Sequence, residues 1–227
     1  MRKILNKWLY KKGYEIVKIG QTPYLLEQIS RAKGSPINFL QIGANDGVSF
    51  DNLYSFVTSN QCAGVVVEPL PDFFERLTLN YAHYPKIKPV QVAIHPELKS
   101  TTIFRVSRDQ LQNYQDWTSG IASFSKQHLT NLSISEEDIE SVEVPCMGLM
   151  ELIDVYSSGD IDYLQIDTEG FDYEVLKQLD FSAIKPKLIK FEKVHMKIED
   201  FESLTTLLQS NDYKIIDDNR DSLALLR

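Results

Sequence analysis

The sequence of 227 residues is short of cysteine, of long apolar runs and of basic charge. Its two cysteines, Cys62 and Cys146, are too few for a disulfide framework and lie in or beside apolar runs, so we expect buried thiols and a cytoplasmic location. No apolar run reaches the ~20 residues that a membrane-spanning helix needs. The first residues also lack the apolar core of a secretory signal. These absences predict a protein without a transmembrane segment and without disulfide bonds.

Acidic residues outnumber basic residues by 32 to 24, which gives a formal net charge of -8. This balance argues against a nucleic-acid-binding protein, because such a protein needs a basic face to neutralise phosphates. The charge is unevenly distributed. Residues 1–33 contain eight basic and two acidic residues, a balance of +6, which leaves -14 for residues 34–227. The sequence therefore predicts a basic N-terminal arm (residues 1–33) and one acidic domain (residues 34–227).

The beginning of the arm has the pattern of an amphipathic helix. Within Met1–Lys12, four apolar side chains share one helical stripe between lysines, namely Ile4, Leu5, Trp8 and Leu9. Such a stripe could dock on the acidic domain, pair two subunits as a homodimer, or contact an anionic membrane surface. Docking or dimerisation is the favoured interpretation, and peripheral membrane contact is the less favoured one.

Apolar runs alternate with helical patterns from residue 21 onward, which is typical of an α/β fold with a mostly parallel sheet. The predicted strands are Ile37–Ile42, Gly64–Glu68, Ile87–Ile94, Thr101–Val106, Ile161–Ile166, Lys187–Glu192 and a closing hairpin of Tyr213–Asp217 with Ser222–Leu226, which would add an antiparallel edge. The predicted helices are Thr22–Lys33, Asn52–Ser59, Pro71–Tyr84, Leu149–Tyr156, Asp172–Leu179 and Glu199–Ser210. Residues 107–141 are less regular, and we expect an insertion or lid over one face, with helical turns near Ser125–Leu132 and Ser135–Ile139.

Ligands of parallel sheets bind beyond the carboxyl ends of the strands, so the residues that follow each predicted strand are candidates for a site. A turn of small residues, Gly43–Gly47, follows the first strand, and its backbone can approach a ligand closely. Glu68 ends the second strand, where a carboxylate can accept hydrogen bonds from both hydroxyls of a ribose. Ala93 and Ile94 end the third strand and offer an apolar wall for a base. Together these features predict a nucleoside site.

The turn differs from the phosphate-binding fingerprint of dinucleotide-binding proteins, Gly-x-Gly-x-x-Gly. Asn45 stands at the position of the second glycine and Val48 at that of the third, and the carboxylate of Asp46 would repel a phosphate. A cationic cofactor without phosphates suits this acidic turn better. S-adenosylmethionine, with its sulfonium and ammonium groups, is such a cofactor.

Six sequence blocks, taken in order, resemble the FkbM-type S-adenosylmethionine-dependent methyltransferases. They are FLQIGANDGVSFDN, VVVEPLPDFFERL, VQVAIHP, GIASF, IDYLQIDTEGFDYEVLKQLDF and KLIKFEKVH, within about residues 37–226. The fifth block is closest to the family signature, although Gln165 stands where the family often has lysine. The resemblance implies a Rossmann-like class I methyltransferase fold, with helices on both faces of a seven-stranded, mostly parallel sheet whose last strand is antiparallel.

The same resemblance implies methyl transfer, usually to a hydroxyl of a sugar, a glycan or a natural product. It implies that the cofactor is surrounded by Gly43, Ala44, Asn45, Gly47, Glu68, Ala93 and Ile94. Asp46, from the same turn, is expected to lie with them. Asp167 and Glu169 are expected to face the cofactor or the acceptor. Residues 107–141 are expected to lie on the acceptor side.

A sugar hydroxyl is a poor nucleophile, so a base within hydrogen-bond reach would assist the transfer. The candidates are Asp167, Glu169, Glu192 and His195, and a histidine with an ordinary pKa near ~6.5 can be neutral and basic at pH 7. A divalent cation could bind between Asp167 and Glu169, but no His or Cys cluster at ligand spacing supports it, so a metal is not favoured. The two carboxylates could instead only cap the following helix, and His195 could be a solvated loop residue. The alternative function is a non-catalytic module that binds the cofactor or a partner on a methyltransferase fold.

Overall fold

The structure, a computed structural model, describes residues 22–49, 53–157 and 159–227. Its helices are α1 (Thr22–Lys33), α2 (Leu53–Ser59), α3 (Pro71–Tyr81), α4 (Lys126–Asn131), α5 (Leu149–Tyr156), α6 (Asp172–Leu176) and α7 (Ile198–Ser210). Its strands are β1 (Asn38–Ile42), β2 (Ala63–Val67), β3 (Ile87–Val90), β4 (Ala93–Ile94), β5 (Ser100–Val106), β6 (Ala122–Ser123), β7 (Ile139–Met147), β8 (Tyr163–Ile166), β9 (Leu188–Glu192), β10 (Tyr213–Asp218) and β11 (Asp221–Leu226). Short 3₁₀ segments cover Arg108–Asn113, Asp116–Gly120 and Glu136–Asp138.

Seven strands form the main sheet in the order β10-β11-β9-β8-β1-β2-β3. The central strand β1 pairs in parallel with β2 and β8, so that Leu40 lies opposite Val65 on one side and Leu164 on the other. Strand β11 is antiparallel to both of its neighbours, β9 and β10, and the other six strands of this sheet all point in one direction. The predicted architecture, mostly parallel with an antiparallel last strand, is confirmed.

Both faces of the main sheet are covered by helices, which explains why the central strands read as continuous apolar runs. Alternate residues of β1 enter two different cores: Leu40 packs with residues of α5, α6 and α7, and Phe39 packs with residues of α1, α2 and α3. Val65 and Val66 of β2 divide between the same two cores. Each such buried side chain contributes roughly 1.5–3 kcal/mol to stability, so the sheet holds the strand ends in fixed positions.

The prediction of a single strand over Ile87–Ile94 is wrong. The strand β3 ends at Val90, and Ala93–Ile94 forms β4 in a second sheet of order β4-β7-β5-β6. Ala93 lies opposite Cys146 in parallel register, and the backbone N–H of His95 donates to the carbonyl of Met147. Because β7 satisfies these backbone groups, the chain leaves the edge of the main sheet after β3.

Sequence reasoning missed β7, which is nine residues long and pairs along the whole of β5 in antiparallel register. The alternation of Val142, Val144 and Cys146 with polar residues is the signal that could have identified it. Within 107–141, the two predicted helical turns are present as α4 and as the 3₁₀ segment Glu136–Asp138.

The predicted terminal hairpin is present at one edge of the main sheet, with β10 as the outermost strand. Strand β11 lies between β9 and β10, and its Leu223 and Ala224 are completely buried. Strand β10 carries Asp217 and Asp218, whose carboxylates are easier to solvate at an edge. The more apolar strand therefore takes the interior position.

Two helices are shorter than predicted, because turns close them early. Helix α3 ends at Tyr81, after which the N–H of Tyr84 donates to the Tyr81 carbonyl. Helix α6 ends at Leu176, and the N–H of Leu179 donates to its carbonyl in a following turn.

The end of the predicted basic arm packs against the domain. Leu26 and Ile29 of α1 are buried in the core, and Nζ of Lys33 lies 2.5 Å from Oδ2 of Asp162. The predicted amphipathic stripe within Met1–Lys12 lies outside the described residues. Among the helices that are described, none combines the length and the apolarity needed to cross a bilayer. Both cysteines are buried and unpaired, as expected.

Candidate active site

A cavity of about 390 Å³ opens at the carboxyl ends of the main-sheet strands. Nine of the twelve residues singled out in the sequence line it, namely Gly43, Ala44, Asn45, Glu68, Ala93, Ile94, Asp167, Glu169 and Glu192. Most of them come from the ends of four main-sheet strands, β1, β2, β8 and β9, or from the loops that follow these strands, and Ala93 and Ile94 come from β4 of the second sheet. Asp46, Gly47 and His195 do not line this cavity.

The turn after β1 requires glycine at its first position. Gly43 has a φ of +79°, and a Cβ atom at this residue would lie 1.8 Å from the carbonyl oxygen of Asp167. The turn and the loop after β8 therefore approach each other more closely than any side chain would allow. The N–H groups of Gly43 and Ala44 both donate to the carbonyl of Val67, which fixes the turn to the end of β2.

Glu68 is a buried carboxylate, 6% exposed, at the end of β2. Its Oε2 accepts a hydrogen bond from the N–H of Asn45 and its Oε1 accepts one from the N–H of Leu70, each at 2.9 Å. Burial nevertheless raises the pKa of Glu68 to about 7. Each oxygen retains a second lone pair, so this carboxylate can accept further hydrogen bonds from a ligand in the cavity.

The other two residues of the turn serve its own geometry. The carboxylate of Asp46 accepts hydrogen bonds from the N–H groups of Val48 and Ser49 and from the Ser49 hydroxyl. A Cβ atom at Gly47 would lie 2.7 Å from side-chain atoms of both Leu77 and Tyr81, so glycine here allows the turn to pack against α3.

Apolar residues form part of the cavity wall. Ala93 and Ile94 are both 3% exposed and line the cavity from β4, together with Leu70, Phe73 and Ile103. Although β4 belongs to the second sheet, it delivers the pair to the place where the sequence predicted it.

The segment Trp117–Phe124, which belongs to the insertion of residues 107–141, borders the cavity. Trp117 lines the cavity and remains 41% exposed. The ring of Phe124 packs against Phe171 at a centroid distance of 4.5 Å, and the hydroxyl of Ser123 donates to the carbonyl of Glu169. The insertion thus contacts the loop after β8.

Three carboxylates stand at the ends of β8 and β9, with oxygens of Asp167, Glu169 and Glu192 within 4.8 Å of one another. The side chain of Asp167 is open to the cavity. The protein walls around it, followed by the charges of Glu192 and Glu169, raise its pKa well above the usual range of an aspartate. Asp167 is therefore a carboxylate that faces the cavity and has a raised affinity for a proton.

His195 lies between two of these carboxylates. Its Nδ1 is 3.0 Å from Oε2 of Glu169 and 3.0 Å from Oε2 of Glu192. The adjacent carboxylates, Glu169 first and Glu192 second, raise the pKa of His195 to about 10. The expectation of a neutral, basic His195 at pH 7 is thus at odds with its surroundings, which keep the imidazole protonated.

Sequence reasoning assigned no role to His128, which the structure brings to the same cluster from α4. Its Nε2 is 3.6 Å from Oε2 of Glu169, and its ring meets that of His195 edge to face at 4.6 Å between centroids. Burial alone would raise the pKa of Glu169, but the contacts with His128 and His195 lower it. No spacing in the sequence links residue 128 to residues 169 and 195, so only the fold reveals this contact.

Asp172 is a second residue that the site depends on and that was not singled out. It is completely buried, its Oδ2 accepts hydrogen bonds from the N–H and the hydroxyl of Thr168, and its Oδ1 accepts one from the N–H of Glu192. Burial raises its pKa to about 6. Asp172 joins the loop after β8 to the end of β9 and so positions Asp167 and Glu192. Its place in the signature block, five residues after Asp167, was the available signal.

One protein family and several solved structures are similar to this chain. The model of a family described as the methyltransferase FkbM domain matches residues 41–215. No curated protein matches the chain. A solved methyltransferase FkbM from Methylobacillus flagellatus KT has a TM-score of 0.51 at 16% identity, covering 84% of this chain and 43% of that one. A METTL16 MTase domain has a TM-score of 0.51 at 14% identity, covering 90% of this chain and 65% of that one.

These structural matches are matches of fold, because identities of this size carry no information on substrates. The chain spans less than half of the M. flagellatus protein and about two thirds of the METTL16 domain. The family match is stronger, since it extends over most of the chain and includes the glycine turn, Glu68 and the block around Asp167. The chain therefore belongs to the FkbM family of S-adenosylmethionine-dependent methyltransferases.

Proposed function

We propose that this chain transfers a methyl group from S-adenosylmethionine to a hydroxyl of a sugar, a glycan or a natural product. The observation that carries the proposal is one cavity lined by two chemically different sets of residues. The glycine turn, Glu68 and the apolar pair Ala93–Ile94 form the first set, and the carboxylates of Asp167, Glu169 and Glu192 form the second.

The first set of residues, which comprises the glycine turn, Glu68, Ala93 and Ile94, fits this cofactor. A volume of about 390 Å³ lies within the range of roughly 300–1,000 Å³ that is usual for small-molecule sites. The second lone pairs of the Glu68 carboxylate suit the two hydroxyls of a ribose, and Ala93 with Ile94 suits the face of an adenine. The surrounding carboxylates favour a cationic ligand. When bound, S-adenosylmethionine supplies an electrophilic methyl group on its sulfonium sulfur.

The second set of residues, the three carboxylates, suits a hydroxyl acceptor. In this proposal Asp167 accepts a hydrogen bond from the acceptor hydroxyl and takes its proton during the transfer. Its raised pKa and its exposure to the cavity both favour this role over Glu169 and Glu192, which are engaged with His195. His195 acts as a positioning residue, because its charge holds these two carboxylates in place.

Residues of the insertion are proposed to roof the acceptor. Trp117 offers an exposed aromatic face at the border of the cavity, which suits the apolar face of a sugar ring. The acceptor is thus a neutral or cationic molecule, since an anionic one would meet the carboxylate cluster. Two free, buried cysteines are consistent with the proposed cytoplasmic location.

The test is methyl transfer to acceptors from the source cell. The full chain is incubated with S-adenosylmethionine carrying a labelled methyl group and with glycan and metabolite fractions, and the products are examined by mass spectrometry. The expected result is a labelled acceptor whose fragments place the methyl group on oxygen. Label on nitrogen or carbon would refute O-methylation. Binding of the cofactor without transfer to any fraction would instead favour a non-catalytic binding module.

A further inference from the structure

Three potential metal-ligand side chains from separate elements converge beside the cavity: His128 from α4, Glu169 from the loop after β8, and His195 from the loop after β9. Oε2 of Glu169 is the shared centre, 3.0 Å from Nδ1 of His195 and 3.6 Å from Nε2 of His128. Glu169 itself lines the cavity.

Two of these three atoms lack a suitable hydrogen bond. Nε2 of His128 and Oε2 of Glu169 are buried and have no hydrogen-bond partner in favourable geometry among the described residues. A buried polar atom without a partner is destabilising, and such atoms often indicate an ion or a water that belongs at the position.

The two distances from Oε2 of Glu169 match those between ligands around one metal ion, and all three atoms lie within 4.8 Å of one another. An ion at about 2.0–2.1 Å from each ligand in tetrahedral geometry keeps its ligands about 3.3 Å apart, and the distances of 3.0 and 3.6 Å lie on either side of this value. Two further carboxylates stand alongside: Oε2 of Glu192 is 3.0 Å from Nδ1 of His195, and an oxygen of Asp167 lies within 4.8 Å of those of Glu169 and Glu192. The charge of a divalent cation would be fully compensated here.

We propose that His128, Glu169 and His195 bind one divalent transition-metal ion, of which Zn²⁺ and Mn²⁺ are examples. The ion takes the place of the proton on Nδ1 of His195, which is released to solvent on binding. Two imidazole nitrogens select such ions over Mg²⁺, which prefers oxygen ligands. Bound next to Asp167, the ion would hold an oxygen atom of the acceptor. This role rests on the proposed methyl transfer, whereas the binding of the ion does not.

The test is a calorimetric titration of the full, tag-free chain with Zn²⁺, and separately with Mg²⁺. We expect one Zn²⁺ per chain and at least ten-fold weaker binding of Mg²⁺. In the His128→Gln variant, which removes one ligand, the affinity for Zn²⁺ should fall at least ten-fold. His83→Gln is the matched control, because His83 is exposed and far from the cluster in sequence and fold, and it should bind Zn²⁺ as the wild type does.

A wild-type chain that binds no Zn²⁺, or a His128→Gln variant that binds it with unchanged affinity, would overturn the proposal. The absorption spectrum of the Co²⁺-loaded wild type gives a measurement that needs no variant: bands of a nitrogen-ligated site are expected, and the spectrum of aqueous Co²⁺ would count against the site. Cofactor binding is titrated in the same samples. Zn²⁺ binding without S-adenosylmethionine binding would leave the metal site standing and refute the proposed function, and the reverse result would refute only the metal site.

Discussion

Single side chains in this site have properties that differ from those of the free amino acids. Glu68 is buried with a pKa of about 7, and His195 has a pKa of about 10 between two carboxylates. The shift at Glu68 arises from burial, and the shift at His195 arises first from Glu169, which the fold brings to it, and then from Glu192. Residue type alone therefore assigned the wrong protonation state to His195. For Glu68, the position of the carboxylate was predictable from the sequence, but its burial was not.

Replacement of Glu68 by glutamine should weaken S-adenosylmethionine binding by about ten-fold or more, because hydrogen bonds to a charged group are worth about 1.5–3 kcal/mol. The backbone N–H groups of Asn45 and Leu70 both donate hydrogen bonds to the Glu68 carboxylate. In the variant, the amide NH₂ would face one of these two donors instead of an acceptor oxygen. Calorimetry gives the affinity. Glu75→Gln, on the exposed face of α3, is the control for the same substitution, and equal affinities in the two variants would contradict the ribose role.

The affinity of the wild type for S-adenosylmethionine should also depend on pH. Hydroxyl donors require the ionised form of Glu68, and the raised pKa of about 7 means that this form is lost as the pH falls below 7. Binding should therefore weaken several-fold between about pH 8 and pH 6, as a shift of one pKa unit corresponds to about 1.4 kcal/mol. In Glu68→Gln this dependence should be largely absent, and an identical slope in both proteins would assign it to another group.

At the scale of elements, the site depends on how closely two loops approach. The turn after β1 and the loop after β8 meet where Gly43 lies against the Asp167 carbonyl, and the loop after β8 has positive φ angles at Glu169 and Gly170. Asp172 then connects this loop to the end of β9.

Replacement of Gly43 by alanine should lower the free energy of unfolding more than the same change at Gly34. Both glycines have positive φ, which costs an alanine about 1–3 kcal/mol, but a Cβ at Gly34 has no atom within 4 Å, while one at Gly43 would strike the Asp167 carbonyl. We expect an additional loss of about 2 kcal/mol or more at Gly43 from the enforced backbone shift. Urea denaturation measures both variants, and equal losses would show that the close approach carries no strain.

Much of the sheet could be predicted from the sequence, because strands buried on both faces leave continuous apolar runs such as Val65–Val67. The departure of Ala93–Ile94 to a second sheet could not, since it depends on pairing with β7 rather than on its own residues. The strand ends that face the cavity were likewise predictable from topology. The contact of His128 with Glu169 was not, because the insertion that carries α4 has no periodic pattern that fixes its path over the sheet.

At the scale of the whole molecule, the charge of -8 combines a basic balance in residues 1–33 with an acidic balance in residues 34–227. Part of the acidic excess is concentrated at the cavity, where Glu68, Asp167, Glu169 and Glu192 all contribute to the lining. This concentration suits a ligand with net positive charge, and it gives a reason for the imbalance beyond solubility.

Salt should therefore weaken the binding of S-adenosylmethionine more than that of its demethylated product. The cofactor carries a sulfonium charge that the product has lost, and screening reduces only the charge-dependent part of binding. Between about 50 and 500 mM KCl we expect the affinity for the cofactor to fall several-fold and that for the product to change less than about two-fold. Parallel calorimetric titrations compare the two ligands, and equal salt dependence would argue against electrostatic selection by the cavity.

The central claim, methyl transfer assisted by Asp167, is tested most directly by comparing Asp167→Asn with the wild type on an acceptor that the labelling experiment identifies. Asp160→Asn, at an exposed position before β8, is the matched control. The account predicts that Asp167→Asn lowers the rate of label transfer by about 10²–10⁴-fold, while its affinity for S-adenosylmethionine stays within a few-fold of the wild type. Transfer by Asp167→Asn at the rate of the control would contradict it.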